Sequence, residues 1–234
     1  MSFLTNCFSS LALISARQTL NSLEVLSILI ASNIYMICQA YDLRALQAEF
    51  ADELKEIVSQ ELANSFGQAL TESETSVLLS RVLKAMYATF ENTSTMDAAE
   101  RMQKVAASSS SALIDFLTGS DMEDQDTAAA TMTSIPKFRA RVASRATSSL
   151  KQLQTDYLSG GRGPAPATSY LSKTRPVYEF VRVTLGIKMH GSENLHTFEN
   201  GLGVEDVTVG QNVSLIYEAI RDGKMQSVIV DMLS

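Results

Sequence analysis

The sequence predicts an all-α fold on three observations. The stretch SLALISARQTLNSLEVLSILIASNIYMICQAYDLRALQAEF, Ser10 to Phe50, contains no glycine or proline, and the first glycine of the chain is Gly67. The residues between are mostly good helix formers. Downstream, apolar residues recur at three- and four-residue intervals, and Thr71 with Glu74 has the spacing of a capping box that opens a helix. With 234 residues, 45% of them hydrophobic, no tryptophan and a formal net charge of -7, the composition fits a soluble, helix-rich protein of one or two domains.

The first element is the long one. Asn21 and Glu24 repeat the capping-box spacing, which predicts a short helix to about Thr19 and a much longer one after it. Leu23, Leu26, Ile30 and Ile34 lie on one side of that helix and Val25, Leu29, Ser32 and Met36 on another, so it must be buried on most sides. From Asn21 to Phe66, at ~1.5 Å per residue, it would run roughly 70 Å. A compact globule of this size has a radius of gyration of roughly 17 Å and a diameter of about 45 Å. One chain cannot wrap such a helix. Either it is broken, or other subunits or further parts of the protein complete its cover. The uncharged run from Val25 to Tyr41 is shorter than the ~20 residues of a membrane span and carries Ser27, Ser32, Asn33 and Gln39, so no membrane partner is expected.

Shorter, one-sided helices follow. Leu79, Val82, Leu83, Met86 and Phe90 form one apolar face, and Met96, Met102, Val105, Leu113, Phe116 and Leu117 form another, ending near Gly119. Ser108 to Ser111 is a low-propensity run where fraying is expected. DMEDQD, Asp121 to Asp126, resembles a calcium loop only in its carboxylates. The turn glycine and terminal glutamate are missing, and a solvated acidic loop is the reading. Pro136 marks the next helix start, with Ser134 as its cap. Lys137, Arg141 and Arg145 then form a basic stripe that could meet an acidic partner or the DMEDQD loop.

GGRGPAPATS, Gly160 to Ser169, reads as a flexible linker and a boundary. Beyond it Val177, Phe180, Val181 and Leu185 make a stripe closed by Gly186, and Val213, Ile216, Tyr217 and Ile220 another closed by Asp222 and Gly223. His190 and His196, in the polar loop between, match no metal-site spacing, and Gly201-Leu202-Gly203 lacks the rest of a nucleotide loop. No metal is therefore expected. The net acidity, with Phe138 the lone aromatic near the basic stripe, argues against nucleic acid as a partner. Cys7 and Cys38 form no spacing pattern, and no Lys or Arg precedes Arg17, so no secretory signal is read and a cytoplasmic location is expected.

Four segments, two near each end of the chain, resemble a known family. SLALISARQTL at Ser10 to Leu20, with the helix ending QAYDLR at Gln39 to Arg44, resembles the C-terminal region of eukaryotic phenylalanine ammonia-lyases, of the aromatic amino acid lyase family. SKTRPVYEFVRVTLGIK, from Ser172, and VTVGQNVSLIYEAIRDGKMQSVIVDMLS, from Val207, resemble the closing segments of the fungal members. The resemblance implies a segment of that family's long-helix bundle over residues 1–50, a smaller helical shielding insertion over 51–168, which in the family arches over the active-site entrance, and a return to the bundle over 169–234. It also implies homotetramer formation and, for the complete enzyme, conversion of L-phenylalanine to trans-cinnamate and ammonia. Asn6 takes the place of the family's active-site Gln, and Ser9 that of the Asn before Ser10, so this motif is not reproduced. Asn6 is the single candidate catalytic residue. Its plain reading is a polar residue near a loose terminus.

The family's electrophile is a methylideneimidazolone made from an Ala-Ser-Gly tripeptide, and no Ala-Ser-Gly occurs in these residues. The Ala-Ser pairs are followed by Asn33, Ser109 and Arg145. The expectation is a chain that supplies oligomer core and active-site cover and is inactive alone. The alternative is a non-catalytic helical protein that associates with complete lyase subunits.

Overall fold

A computed structural model describes residues 2–67, 70–119, 132–191 and 207–233, with side chains from Leu11 onward. The described residues form helices and turns, with no strand among them. Helix α1 runs unbroken from Ser2 to Phe66. The expected restart at Asn21 does not occur. Thr19 Oγ1, Ser22 Oγ and Ser27 Oγ each donate to the carbonyl four residues earlier, at 3.0, 2.9 and 2.8 Å. Side chains satisfied on their own helix give no advantage to a non-helical cap, and no glycine or proline forces a break.

Packing divides the chain into residues 1–45 with 156–234 and residues 46–155, so α1 contributes to both units. The divisions fall at 45/46 and 155/156, and the sequence reading places its bounds at 50/51 and 168/169.

In unit 46–155, the end of α1 buries Phe50, Leu54, Ile57, Val58, Leu62 and Phe66. Helix α2, Glu72–Asn92, opens on the predicted capping box: the Glu74 amide donates to Thr71 Oγ1 at 3.4 Å and the Thr71 amide to Glu74 Oε2 at 2.9 Å. The Thr71 amide and the Thr71 hydroxyl, which donates to the same Oε2 at 2.7 Å, hold the Glu74 carboxyl below its ordinary pKa. Its buried face takes Leu78 where the sequence reading has Leu79; Leu78, Val82, Met86 and Phe90 continue a single four-residue row.

Helix α3, Ala98–Gly119, packs on α2. It does not fray at its serines. Ser109 is fully buried, and Ser108 and Ser109 bond back to the carbonyls of Val105 and Ala106 at 2.7 and 2.6 Å. Helix α4, Ile135–Ser159, starts at the Ser134 carbonyl, which accepts from the Phe138 amide at 2.9 Å. Ring pairs Phe50–Phe90 and Phe66–Phe138, at 5.0 and 5.7 Å between centroids, fix the core, and the Arg101 guanidinium lies 3.6 Å over Phe90. Two residues of the basic stripe face a carboxylate of their own unit: Arg145 pairs with Glu61 at 2.7 Å and Arg141 approaches it at 3.9 Å. The DMEDQD loop lies outside the described residues.

In the other unit the Gly/Pro-rich connector is an ordered series of turns. Gly160 takes φ +81°, the Gly163 amide donates to its carbonyl at 2.9 Å, and a 3₁₀ turn, Pro166–Tyr170, fully buries Ala167. These turns run on an exposed backbone from Gly160 to Pro164, and burial begins toward Ala167. Helix α5, Arg175–Glu179, runs directly into a π-helical segment, Phe180–Thr184. Helix α6, Val209–Arg221, opens on a second reciprocal box, Thr208 with Gln211. Helix α7, Gln226–Leu233, packs on α5.

Candidate functional site

Unit 1–45 with 156–234 carries two features with functional content. The first is a bare apolar helix. On one side of α1, Leu23, Leu26 and Ile30 are 52, 48 and 42% exposed, and on another Val25, Leu29 and Met36 are 67, 56 and 58% exposed. Among the described side chains the first buried residue is Ala31, and from there one face of the helix, Ala31, Tyr35, Cys38 and Asp42, is buried. An apolar surface this extended marks an interaction site. By length and composition alone, α1 is also apolar enough to cross a membrane.

The second feature is a buried charged cluster centred on Asp42, within the QAYDLR segment. Asp42 is fully buried, and Arg182 and Tyr178 are 2 and 1% exposed. Arg182 Nη2 lies 2.5 Å from Asp42 Oδ2, and the Tyr178 hydroxyl donates to Asp42 Oδ1. That same hydroxyl accepts from the Ala167 amide at 3.0 Å. Arg182 Nη1 donates to the carbonyls of Ile187 and Lys188 at 3.0 and 2.7 Å. One cluster thus joins α1, the 3₁₀ turn, α5, the π segment and the stretch after Gly186. Burial pushes the Asp42 carboxyl above its ordinary pKa, and Arg182 and Tyr178 draw it part of the way back. Burial also pushes the Tyr178 hydroxyl up.

Gln39, one turn before Asp42, reads the same neighbouring stretch: its Oε1 accepts from the His190 amide at 2.8 Å and its Nε2 donates to the His190 carbonyl at 3.2 Å. Cys38 is buried, and burial raises its thiol to about 11. Beside this cluster lies a cleft of about 380 Å³ reached by Asp42, Arg182 and Lys188. A separate apolar groove of about 270 Å³ runs between α1, α5 and α7, lined by Ile37, Cys38, Val177, Met225 and Ile229 among others.

Asn6 falls in α1, but its side chain lies outside the described residues, as do His196 and Gly201 to Gly203. Among the described residues no three His, Cys, Asp or Glu side chains converge as metal ligands would. The sequence reading singled out none of Asp42, Tyr178 and Arg182: Asp42 entered only within QAYDLR, and Tyr178 and Arg182 only within the segment from Ser172. The signal for the two charged members is a charge at the edge of or between apolar residues: Asp42 ends an uncharged run that begins after Glu24, and Arg182 stands between Val181 and Val183.

No protein-family model matches the chain. A phenylalanine ammonia-lyase of Strobilurus tenacellus is 56% identical over 97% of this chain and 31% of its own length. Phenylalanine ammonia-lyase 2 of Pleurotus ostreatus is 54% identical over 97% of the chain and 30% of its own length. The crystal structure of phenylalanine ammonia-lyase from the yeast Rhodosporidium toruloides superposes with a TM-score of 0.79 at 32% identity, over 95% of this chain and 32% of that one. The chain therefore spans about a third of the length of the curated relatives it matches. The fold, the shared helices and this level of identity place the chain in the aromatic amino acid lyase family, as a segment corresponding to the C-terminal portion of a fungal-type phenylalanine ammonia-lyase.

Proposed function

We propose that this chain is the part of an aromatic amino acid ammonia-lyase that supplies oligomer core and active-site cover, and that it is catalytically silent alone. The complete enzyme would convert L-phenylalanine to trans-cinnamate and ammonia. The observation that carries the reading is the apolar surface of α1, exposed on two sides over Leu23 to Met36. Other lyase subunits, or the remaining two-thirds of the polypeptide, are the cover such a helix requires. In this reading residues 51–168 are the shielding insertion, and the protein works as a homotetramer in the cytoplasm. No catalytic residue is assigned to this chain; Asn6, at the place of the family's active-site Gln, is its single candidate, and its plain reading is a polar residue near the terminus.

The family's methylideneimidazolone does not fit the residues present. Besides lacking Ala-Ser-Gly, the chain places Ala31-Ser32, Ala107-Ser108 and Ala143-Ser144 inside α1, α3 and α4. A helical backbone holds successive peptide groups apart in its own hydrogen bonds, and ring closure needs their close approach. No catalytic step is assigned to this segment.

Two measurements test the reading. Purified chain incubated with L-phenylalanine should release no cinnamate above a blank; turnover would overturn the silent assignment. Genomic sequence upstream of the Met1 codon should continue in frame into an Ala-Ser-Gly region. Stop codons immediately upstream would instead favour a stand-alone helical protein that binds complete lyase subunits.

A further inference from the structure

We draw no further inference here: the strongest candidate, the apolar groove of about 270 Å³ between α1, α5 and α7, carries nothing because the chain spans about a third of the length of its relatives and nothing in the structure shows what covers the groove.

Discussion

Removing the guanidinium of Arg182 should be among the most damaging single changes in its unit. Arg182→Met keeps much of the side-chain volume but leaves Asp42, fully buried, facing no cation. It also strips two donors from the carbonyls of Ile187 and Lys188. Breaking a buried pair in this way costs about 3–5 kcal/mol, mostly from the stranded charge. Asp42→Asn combined with Arg182→Met removes the stranded charge, and the amide oxygen introduced there can still accept from the Tyr178 hydroxyl. The double variant should therefore recover about half of the loss. Urea unfolding, followed by circular dichroism and by the Met189 methyl signal at fixed protein concentration, measures both. With a slope of about 2 kcal/mol per molar, the single variant should lower the midpoint by about 2 M. A single-variant loss below about 1 kcal/mol, or a double variant less stable than Arg182→Met, would refute the reasoning, because either result means the Asp42 charge is not held by Arg182.

The wild-type chain should self-associate at micromolar concentration by light scattering. Ile30→Asp, at a 42% exposed site, should reduce that association without loss of helix content; a monodisperse wild-type monomer would count against the assembly reading. Cys38 should resist thiol reagents at pH 8 in a Cys7→Ser background and react on unfolding. Since its thiol is raised from 9.0 to about 11 in the fold, the unfolded chain ionises first, and stability held below pH 9 should decline between about pH 9 and 11; a flat profile there sinks the assignment. Thr71→Ala should cost about 1 kcal/mol by removing the cap of α2, read as a lower urea midpoint. If residues 51–168 are an insertion with its own small core, amides across Glu72 to Leu117 should exchange earlier in the assembled protein than those across Leu23 to Tyr41, and the order should reverse in dilute chain, where the latter helix is bare.

Local signals were legible where nothing distant competed with them. Thr71 and Glu74 cap a helix because the chain breaks just before them, at Gly67, and their side chains have no better partners. Asn21 and Glu24 have the same spacing inside a run of strong helix formers, and there continuity won. Ser108 to Ser111 looked like a weak point on propensity alone. In the fold, Ser109 is small enough to bury in the α3 face while its hydroxyl bonds to the Ala106 carbonyl. The cluster around Asp42 stayed hidden because Tyr178 is 136 residues away from it in sequence, and no periodicity links positions on different elements. Leu79 gave way to Leu78 because two adjacent leucines fit the stripe almost equally, and neighbouring helices made the choice.

The two halves of α1 show how a sequence records the cover intended for a helix. From Asp42 to Phe66 charged residues recur, and they leave Phe50, Leu54, Ile57, Val58 and Leu62 as one buried stripe. That half is written for a partner on one side. Between Glu24 and Asp42 there is no charge at all, and the polar residues present are largely satisfied within the helix. Ser27 and Ser32 donate to the carbonyls of Leu23 and Ile28 at 2.8 and 2.9 Å, and Asn33 Nδ2 to that of Leu29 at 3.1 Å. Groups already bonded on their own helix add little desolvation cost when a second surface closes over them. A lipid bilayer would exploit the same economy, but the region also carries Arg17 and Glu24, seven residues apart and so near one face, and Glu24 already accepts from the Tyr217 hydroxyl at 3.4 Å. Charges in that register suit a protein surface that offers their complements, and they are expensive at bilayer depth. Under the function proposed above, other protein helices are the cover that suits the apolar sides of α1.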